Sequence, residues 1–468
     1  MIKPGIIFLP HGNLQYSQLP PGKRPWVARE SYKTIFDISE KLEFKLAFEA
    51  SGETLEILAR EAPEVLDKLI GGIKEGRIEP VASPHTHIMI PNVRKELALY
   101  QLKKGLDTWE RLTGFRPITG WNPECGWCWY IPEIYREAGF KILIADADSY
   151  FLSNIPGLRE KIGLKYDVYG HSNKSVLFKI EKEIENIPDM LNRFFRPNKL
   201  KNGLYIIFRS DMLCNILLWY LMGATEENRE KPVQLDEVRD VLLRWRNKIV
   251  DGNGFLMPYA EDAEYIGTTA YFYVKQFGLA RFFEPAPESI IRFKEILSIA
   301  KDLKFNPITP KDAVYIYQPV DGKGFEYIEN SAAWHGGYTI AWVNTVYSRI
   351  LDPLCNAVLD GLEDIGRYLG VSDIYNESDF QKALYFLGNA YVTDARWPPA
   401  PTSPGRFNVE EALLSLERAN ECVYEIMQKH KIENLKSIYS PVLMRARISA
   451  ARMELMSMKY FGEKGTNE

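Results

Sequence analysis

The sequence predicts an α/β protein in which a closed or distorted β/α barrel is followed by a bundle of helices. Over the first 260 residues, short apolar runs bounded by turn residues alternate with segments of helical periodicity. After about residue 290, long helical repeats dominate. The 468 residues suffice for a barrel of about 250 residues and an added domain. We therefore predict a barrel domain over residues 1–290 and a helical domain over residues 291–468.

Eight segments of the first part have the length and composition of strands. They cover residues 5–10, 44–50, 77–83, 117–123, 141–147, 168–180, 204–210 and 255–260. Apolar residues at helical spacing, such as Leu55, Leu58 and Leu69, lie between the second and third of these segments. Strand, helix and strand in this order favour parallel pairing through crossover helices. In a barrel of this kind, functional side chains follow the carboxyl ends of the strands.

Long helices are the predicted structure of the last third. Apolar residues from Val343 to Leu369 recur at steps of three or four, and Pro353 is expected to kink this helix. The proline-rich insert at residues 394–408 is predicted to be a loop. It either simply connects two helices or also brings Trp397 to the mouth of the functional site.

The composition is that of a soluble globular protein. Hydrophobic residues make up 46% and charged residues 26%, with a formal net charge of -4 and no long charge run, so neither nucleic acid nor a membrane is an expected partner. The apolar run Ile6–Pro10 is too short for a signal peptide or a membrane span, and we expect a cytoplasmic protein. Five cysteines spread over the chain do not predict a disulfide framework.

Polar residues with catalytic or ligating chemistry follow several of the predicted strands. They are His11, Glu49, Glu79, His85, His87, Glu124, Asp146, Asp148, Arg209 and Asp211. Three of the six histidines in the chain belong to this set. Any one of these side chains could have a structural role, as a hydrogen-bonding or helix-capping residue. Their joint placement at strand ends favours a functional site.

The stretch GWNPECGWCWY, residues 120–130, places one carboxylate, Glu124, among aromatic rings. Pro123 removes a backbone donor and restricts Asn122 to extended geometry, which helps to fix the direction of the carboxylate. The indole rings offer flat apolar faces suited to the C–H faces of a sugar. A glutamate that only ends a strand among core aromatics is the alternative interpretation.

Two further patterns suggest other chemistry. His85 and His87 share one face of an extended strand and could bind a metal, but no zinc-site motif supplies a third ligand. Cys125 and Cys128 form a C-x-x-C, which here follows the fourth strand and has no second pair to complete a zinc knuckle. Metal binding and redox chemistry stay open as alternatives, beside a buried or incidental role for the cysteines.

Five segments of the first part resemble the motifs of glycoside hydrolase family 57, and the likeness covers roughly residues 1–290. They are FLPHGN (8–13), GRIEPVASPHTHIMIP (76–91), GWNPECGW (120–127), IIFRSDMLCNILLWY (206–220) and PYAEDAEYIG (258–267). The resemblance implies an incomplete, seven-stranded β/α barrel. It also implies action on α-linked glucans or related α-glycosides with retention of configuration, without a metal or organic cofactor.

The resemblance also implies roles for individual residues. Glu124 matches the catalytic nucleophile of the family. Aligned without a gap, Ser210 stands where the family has its acid/base aspartate, and we assign that role to Asp211, one residue later. A retaining mechanism needs these two carboxyl groups about 5 Å apart. The predicted substrate contacts are His11, Glu79, His87, Trp121, Trp127, Arg209, Asp262, Glu264 and Trp397, with Glu261 as a further candidate.

Several functions remain open from the sequence. The predicted partner is an oligo- or polysaccharide, and the enzyme could be an amylase, an α-galactosidase, a 4-α-glucanotransferase or a branching enzyme. A metal-dependent polysaccharide deacetylase would use His85 and His87 as ligands. A carbohydrate-binding protein that has lost catalysis is suggested by Ser210. Self-association is not determined by the sequence.

Overall fold

The computed structural model of the chain describes residues 2–15, 19–168, 170–223, 231–269, 284–397, 407–432 and 439–464. Its central element is a curled, mixed sheet. The strands are β1 (Gly5–Gly12), β2 (Leu46–Ala50), β3 (Ile78–Ala82), β4 (Thr119–Trp121), β5 (Ile142–Asp146), β6 (Asn198–Lys199), β7 (Tyr205–Arg209), β8 (Phe255–Asp262), β9 (Gly267–Thr268), β10 (Pro285–Ala286), β11 (Asn306–Pro307) and β12 (Val320–Asp321).

Seven of the described strands run parallel in the order β8, β1, β2, β3, β4, β5, β7. The short strand β11 adds to β1 in parallel, and β6 pairs antiparallel with β7 and parallel with β12. Strands β9 and β10 form a separate antiparallel pair. The predicted α/β class with a distorted, seven-stranded β/α barrel is confirmed.

The helices surround this sheet in the first part of the chain and dominate the last. They are α1 (Arg24–Val27), α2 (Thr34–Lys41), α3 (Gly52–Glu61), α4 (Pro63–Lys74), α5 (Lys95–Thr113), α6 (Ile131–Ala138), α7 (Ala147–Asn154), α8 (Leu158–Ile162), α9 (Lys174–Leu177), α10 (Ile180–Ile184), α11 (Pro188–Phe195), α12 (Asp211–Met222), α13 (Leu235–Asn247), α14 (Pro287–Asp302), α15 (Pro310–Ile316), α16 (Val346–Tyr368), α17 (Ser378–Ala390), α18 (Phe407–Lys429) and α19 (Pro441–Lys464).

Alternate residues of the parallel strands supply one buried apolar cluster. In an extended strand every second side chain points to the same face, so the inward positions of neighbouring strands meet. The cluster includes Ile7, Leu9, Ala47, Val81, Trp121, Ile142, Ile144, Ile207, Phe255 and Met257. This core fixes the register of the strands and with it the position of the residues at their carboxyl ends.

The predicted strand at residues 168–180 is wrong. Its described residues form a turn of 3-10 helix at His171–Asn173, then α9 and the start of α10, while residue 169 lies outside the described chain. The left-handed backbone of Gly170, with φ 73°, ends any extended path there. Leu177, Ile180 and Ile184 are all buried at helical spacing, so the apolar residues follow a helical period.

The chain divides into two compact units, of which the first comprises Met1–Leu14, Gly22–His85 and Leu102–Thr339. Residues 291–339 therefore belong with the barrel, because β11 pairs with β1 and β12 pairs with β6. The division predicted at residue 290 falls inside this unit. A catalytic domain and a separate helical domain stay a prediction about function.

The second unit comprises Gln15–Pro21, Thr86–Gln101 and Ile340–Glu468. Within it, α18 packs against α16, α17 and α19. The predicted long helix is present as α16, with Pro353 inside it. Of the predicted loop at residues 394–408, residues 398–406 lie outside the described chain. None of the described helices has the length and apolar character needed to span a membrane.

The close contact between α5 and the end of β3 gives a stability prediction. A Cβ at Gly105 would lie 2.4 Å from the backbone oxygen of Ser83, whereas a Cβ at Gly71, in α4, would meet no atom within 4 Å. Gly105→Ala should therefore lower the free energy of unfolding by about 1–3 kcal/mol. Gly71→Ala should raise it by about 0.5–1 kcal/mol, because alanine is the better helix former.

Chemical denaturation of the two variants beside the wild type measures both changes. The identical substitution in two helices controls for helix propensity. Equal effects of the two substitutions would contradict the described contact at Gly105.

Candidate functional site

The carboxyl ends of the parallel strands bring polar residues together at one edge of the sheet. In the strand register, His11 lies opposite Glu49 on β2 and opposite Asp262 on β8. Asp146 at the end of β5 lies opposite Arg209 at the end of β7. These positions are fixed by backbone pairing, so five strand ends contribute to one candidate site.

A buried ion pair occupies the first side of this site. Nδ1 of His11 contacts Oε2 of Glu49, and both side chains are buried. Burial alone would lower the pKa of His11, but the adjacent Glu49 carboxylate raises it to about 10. His11 is therefore an imidazolium at neutral pH. Its ring stacks on Trp121 with a centroid distance of 5.5 Å and an interplanar angle of 21°.

The guanidinium of Arg209 forms the centre of the second side. Its Nη1 lies 2.7 Å from Oδ1 of Asp211 and 3.3 Å from Oδ1 of Asp146, and its Nη2 donates to Glu261. All four side chains are buried. Burial raises the pKa of Asp146 and of Glu261, although Arg209 opposes this effect. One cation thus holds carboxylates from the ends of three strands.

Both carboxylate oxygens of Asp211 accept hydrogen bonds. Oδ1 accepts from Arg209, while Oδ2 accepts from the backbone N–H of His335 at 2.7 Å and from its Nδ1 at 2.9 Å. Burial alone would raise the pKa of Asp211, but Arg209 and the hydrogen bonds from His335 hold it well below its usual range. Asp211 is therefore a stable carboxylate, which is an unfavourable state for a proton donor.

Ser210 has a structural function next to Asp211. Its Oγ accepts from the backbone N–H of Met212 at 3.1 Å, which makes it the N-cap of α12. The same hydroxyl donates to Oδ1 of Asp148 at 2.5 Å, and Oδ2 of Asp148 accepts from the backbone N–H of Asp211 at 2.7 Å. Asp148 thereby fixes the backbone at the start of the helix.

Glu124 lies in a strained turn directly after β4. Glu124 and Cys125 have φ angles of 56° and 49°, in the left-handed region that residues with a Cβ rarely adopt. Asn122 is extended, as expected for a residue before proline, and its side-chain amide donates to the backbone oxygen of Gly126. Glu124 is 4% exposed. The turn therefore presents a buried carboxylate at the carboxyl edge of the sheet.

Two residues that the sequence did not identify complete this side of the site. Trp334 lies between Arg209, whose guanidinium carbon is 5.5 Å from its ring centroid, and Trp121, at 6.2 Å between centroids. His335 stacks on Trp334 at 4.7 Å. Both residues come from a turn outside the predicted barrel domain. The one signal in the sequence was the Trp-His-Gly-Gly stretch at 334–337, which in the structure has His335 at φ 60°.

Asp262 and Glu264 follow β8. Glu264 is fully buried and accepts from the backbone N–H of Asn13 at 2.8 Å and from the hydroxyl of Tyr32. Burial and the neighbouring Asp262 raise the pKa of Glu264. Asp262, in contrast, is only partly buried. It is thus the carboxylate at the His11 side of the edge that remains accessible from outside.

Some predicted substrate contacts lie elsewhere. Glu79 is near the amino end of β3, where it accepts from the hydroxyl of Thr119 at 2.5 Å and the backbone N–H of Lys311 at 2.7 Å. A strand's second residue cannot reach the opposite edge, so this placement does not support a substrate contact. Trp127, unlike Glu79, lines a surface groove beside the Glu124 turn.

His87 and Trp397 belong to the second unit. Nδ1 of His87 lies 3.6 Å from Asp394 and 3.3 Å from the hydroxyl of Thr393. Trp397 packs edge-on against Trp342 at 4.7 Å between ring centroids. A role of either residue in binding substrate stays a prediction.

The five cysteines are free and buried. Burial raises the pKa of Cys125 well above its usual value, and burial raises that of Cys128 to about 11. Both are therefore thiols at neutral pH, whereas reactive redox cysteines are thiolates. This environment favours a buried, incidental role for Cys125 and Cys128 over redox chemistry.

Two groups in the described part of the chain have side chains close enough to share a metal ion: Glu53, Glu56 and His85, and Asp146, Asp148 and Asp211. Neither includes His87, the second ligand that the deacetylase alternative requires. In the carboxylate group, Arg209 already supplies a positive charge to Asp146 and Asp211. Its chemistry is that of an ion-pair network.

One known protein family matches most of the first unit. The family model described as Glycosyl hydrolase family 57 matches residues 27–317, more than half of the chain. The chain belongs to glycosyl hydrolase family 57. The matched range contains the Glu124 turn, the Arg209 cluster and the residues that follow β8.

Curated relatives are similar over part of their length. An alpha-amylase of Pyrococcus horikoshii is 27% identical over 177 residues, which are 36% of this chain and 27% of the relative. A 4-alpha-glucanotransferase of Thermococcus litoralis is 29% identical over 143 residues, which are 30% of this chain and 21% of the relative. The matched part of this chain thus spans about a quarter of these relatives or less.

Solved structures of the family have the same fold. A branching enzyme of Thermococcus kodakaraensis, solved with glucose, superposes with a TM-score of 0.62 at 13% identity, over 96% of this chain and 94% of that one. The alpha-amylase AmyC of Thermotoga maritima gives a TM-score of 0.57 at 12% identity, over 96% of this chain and 97% of that one. At these identities the likeness establishes the fold alone.

Proposed function

We propose that this chain is a retaining glycoside hydrolase or transglycosylase that acts on α-linked glucans, with Glu124 as its nucleophile. The observation that carries the proposal is the Glu124 turn, a strained left-handed backbone that holds a buried carboxylate at the carboxyl end of a barrel strand. Its family membership and its amylase and glucanotransferase relatives support the substrate class.

The proposed reaction proceeds in two displacements. The Glu124 carboxylate attacks the anomeric carbon while a second carboxyl group protonates the leaving oxygen, which gives a covalent glycosyl-enzyme. The second group then removes a proton from water or from a sugar hydroxyl, whose oxygen attacks the anomeric carbon and displaces the Glu124 carboxylate, which releases the product. His11, as an imidazolium, is suited to donate a hydrogen bond to a sugar hydroxyl.

Solvent exposure favours Asp262 over Asp211 as the second carboxyl group. Asp211 is fully buried, accepts from Arg209 and His335, and is held in its charged form. Asp262 is partly exposed at the end of β8, opposite His11 in the strand register. We therefore infer that Asp211 positions the site through Arg209, and that Asp262 exchanges the proton. The assignment of Asp211 from the sequence is kept as the competing hypothesis.

The nucleophile is tested by Glu124→Gln. An amide cannot form the glycosyl-enzyme, so activity on maltoheptaose should fall by at least about a thousandfold while the fold is kept. Glu137→Gln, on the exposed side of α6, is the matched control and should keep full activity. Steady-state rates and circular dichroism of both variants give the answer. A Glu124→Gln rate above about 5% of the wild type would disprove the assignment.

The proton donor is tested by comparing Asp262→Asn with Asp211→Asn. Loss of a general acid slows reactions by about 10²–10⁴-fold when the leaving group is poor. Asp262→Asn should therefore impair maltoheptaose much more than a dinitrophenyl α-glucoside, whose leaving group needs no proton. Asp211→Asn should impair both substrates equally and lower stability by about 3–5 kcal/mol, because it breaks a buried ion pair.

The ratio of kcat/KM for the two substrates, measured for each variant, separates the hypotheses. If Asp211→Asn lowers kcat/KM more for maltoheptaose than for the aryl glucoside, and Asp262→Asn lowers both equally, Asp211 is the general acid.

A further inference from the structure

A large surface groove lies beside the Glu124 turn in the first unit. Its volume is about 1100 Å³, slightly above the roughly 300–1,000 Å³ typical of small-molecule sites. Aromatic rings on its wall come from Trp127, Trp129 and Phe325. The volume suits a ligand of several linked rings better than a single small molecule.

The groove is connected to the candidate site through two chain segments. The segment after Glu124 is hydrogen-bonded to the loop at residues 325–335: the backbone N–H of Trp127 donates to Ala332 at 2.7 Å, and Ser331 donates back to Trp127 at 2.8 Å. The same loop continues into Trp334, which packs on Arg209. Two of the chain segments that line the groove therefore also carry Glu124 and the aromatic side of the site.

The exposed ring of Trp129 indicates the kind of ligand. Its side chain is 71% exposed, although its backbone is fixed by a hydrogen bond of 2.9 Å to the side chain of Asn330. The ring contacts Tyr130 edge-on, with 5.5 Å between the ring centroids. A large apolar ring that stays mostly exposed on the surface is typical of a binding surface. A flat indole face is complementary to the C–H face of a pyranose.

The charged residues of the groove balance one another. Its lining contains three lysines and three acidic residues, Lys199, Lys201, Lys323, Glu133, Asp321 and Glu326. A groove with no net charge has no electrostatic preference for an anion such as nucleic acid or phosphate. It offers both donors and acceptors, which suits the hydroxyl groups of a neutral sugar chain.

We propose that this groove binds the part of an α-glucan chain that is remote from the bond being cleaved, with Trp129 as a stacking surface. The inference rests on the proposed function for its substrate class, and it adds a binding site outside the catalytic carboxylates. If a glucan extends from the Glu124 turn past Trp127 to Trp129, several of its sugar units contact the protein at once. Longer substrates should consequently bind more tightly than short ones.

The test measures maltoheptaose binding by calorimetry in the Glu124→Gln protein, which separates binding from turnover. Adding Trp129→Ala to this protein should weaken binding about tenfold, as expected for loss of an aromatic anchor. Tyr327→Ala is the matched control, because Tyr327 is 68% exposed on the neighbouring loop at residues 325–335 and does not line the groove. In the otherwise wild-type enzyme, Trp129→Ala should raise KM for maltoheptaose more than for maltotriose.

The outcomes separate this inference from the proposed function. Trp129-dependent binding without turnover by the wild type would support the groove and contradict the enzymatic proposal. Normal turnover with equal KM values in Trp129→Ala and Tyr327→Ala would overturn the groove alone. Failure of the Glu124→Gln protein to bind maltoheptaose at concentrations up to about 10 mM would also overturn it.

Discussion

The buried guanidinium of Arg209 is the interaction on which the site depends. In the described part of the chain, β8 pairs with β1 and not with β7, so the barrel is open between β7 and β8. Arg209 spans this opening, since it extends from β7 to Glu261 on β8 and also reaches Asp146 on β5. Burying a cation costs free energy unless carboxylates pair with it. The pairing of Arg209 therefore keeps three strand ends together.

Arg209 also determines which carboxyl groups remain available for chemistry. Asp211, which accepts hydrogen bonds from both Arg209 and His335, stays charged. On the other side, His11 and Glu49 form a second closed ion pair. We infer that Glu124, fixed by its strained turn, and Asp262, partly exposed at the end of β8, are the two carboxyl groups that act on the substrate.

Much of the fold followed from local sequence patterns. Apolar runs and helical repeats placed the parallel strands correctly because the core selects alternate residues of each strand. The Glu124 turn was identified because its proline and aromatic residues are contiguous in sequence. The prediction of a strand at 168–180 was wrong because it did not take into account Gly170 and the helical spacing of the apolar residues. Glu79 lies near the amino end of β3, as the predicted strand at 77–83 implied, and its role in binding substrate stays a prediction. Trp334 and His335 were missed because they reach the site from a distant loop, where only tertiary packing unites them with Arg209.

The central claim is a double displacement through Glu124, and the configuration of the first product tests it most directly. Proton NMR of the reaction with maltoheptaose, recorded before mutarotation, reports the anomeric configuration of the newly formed reducing end. Two successive inversions at the anomeric carbon predict that the α-anomer appears first. The β-anomer as the first product would contradict the account, because a single displacement by water needs no covalent intermediate on Glu124.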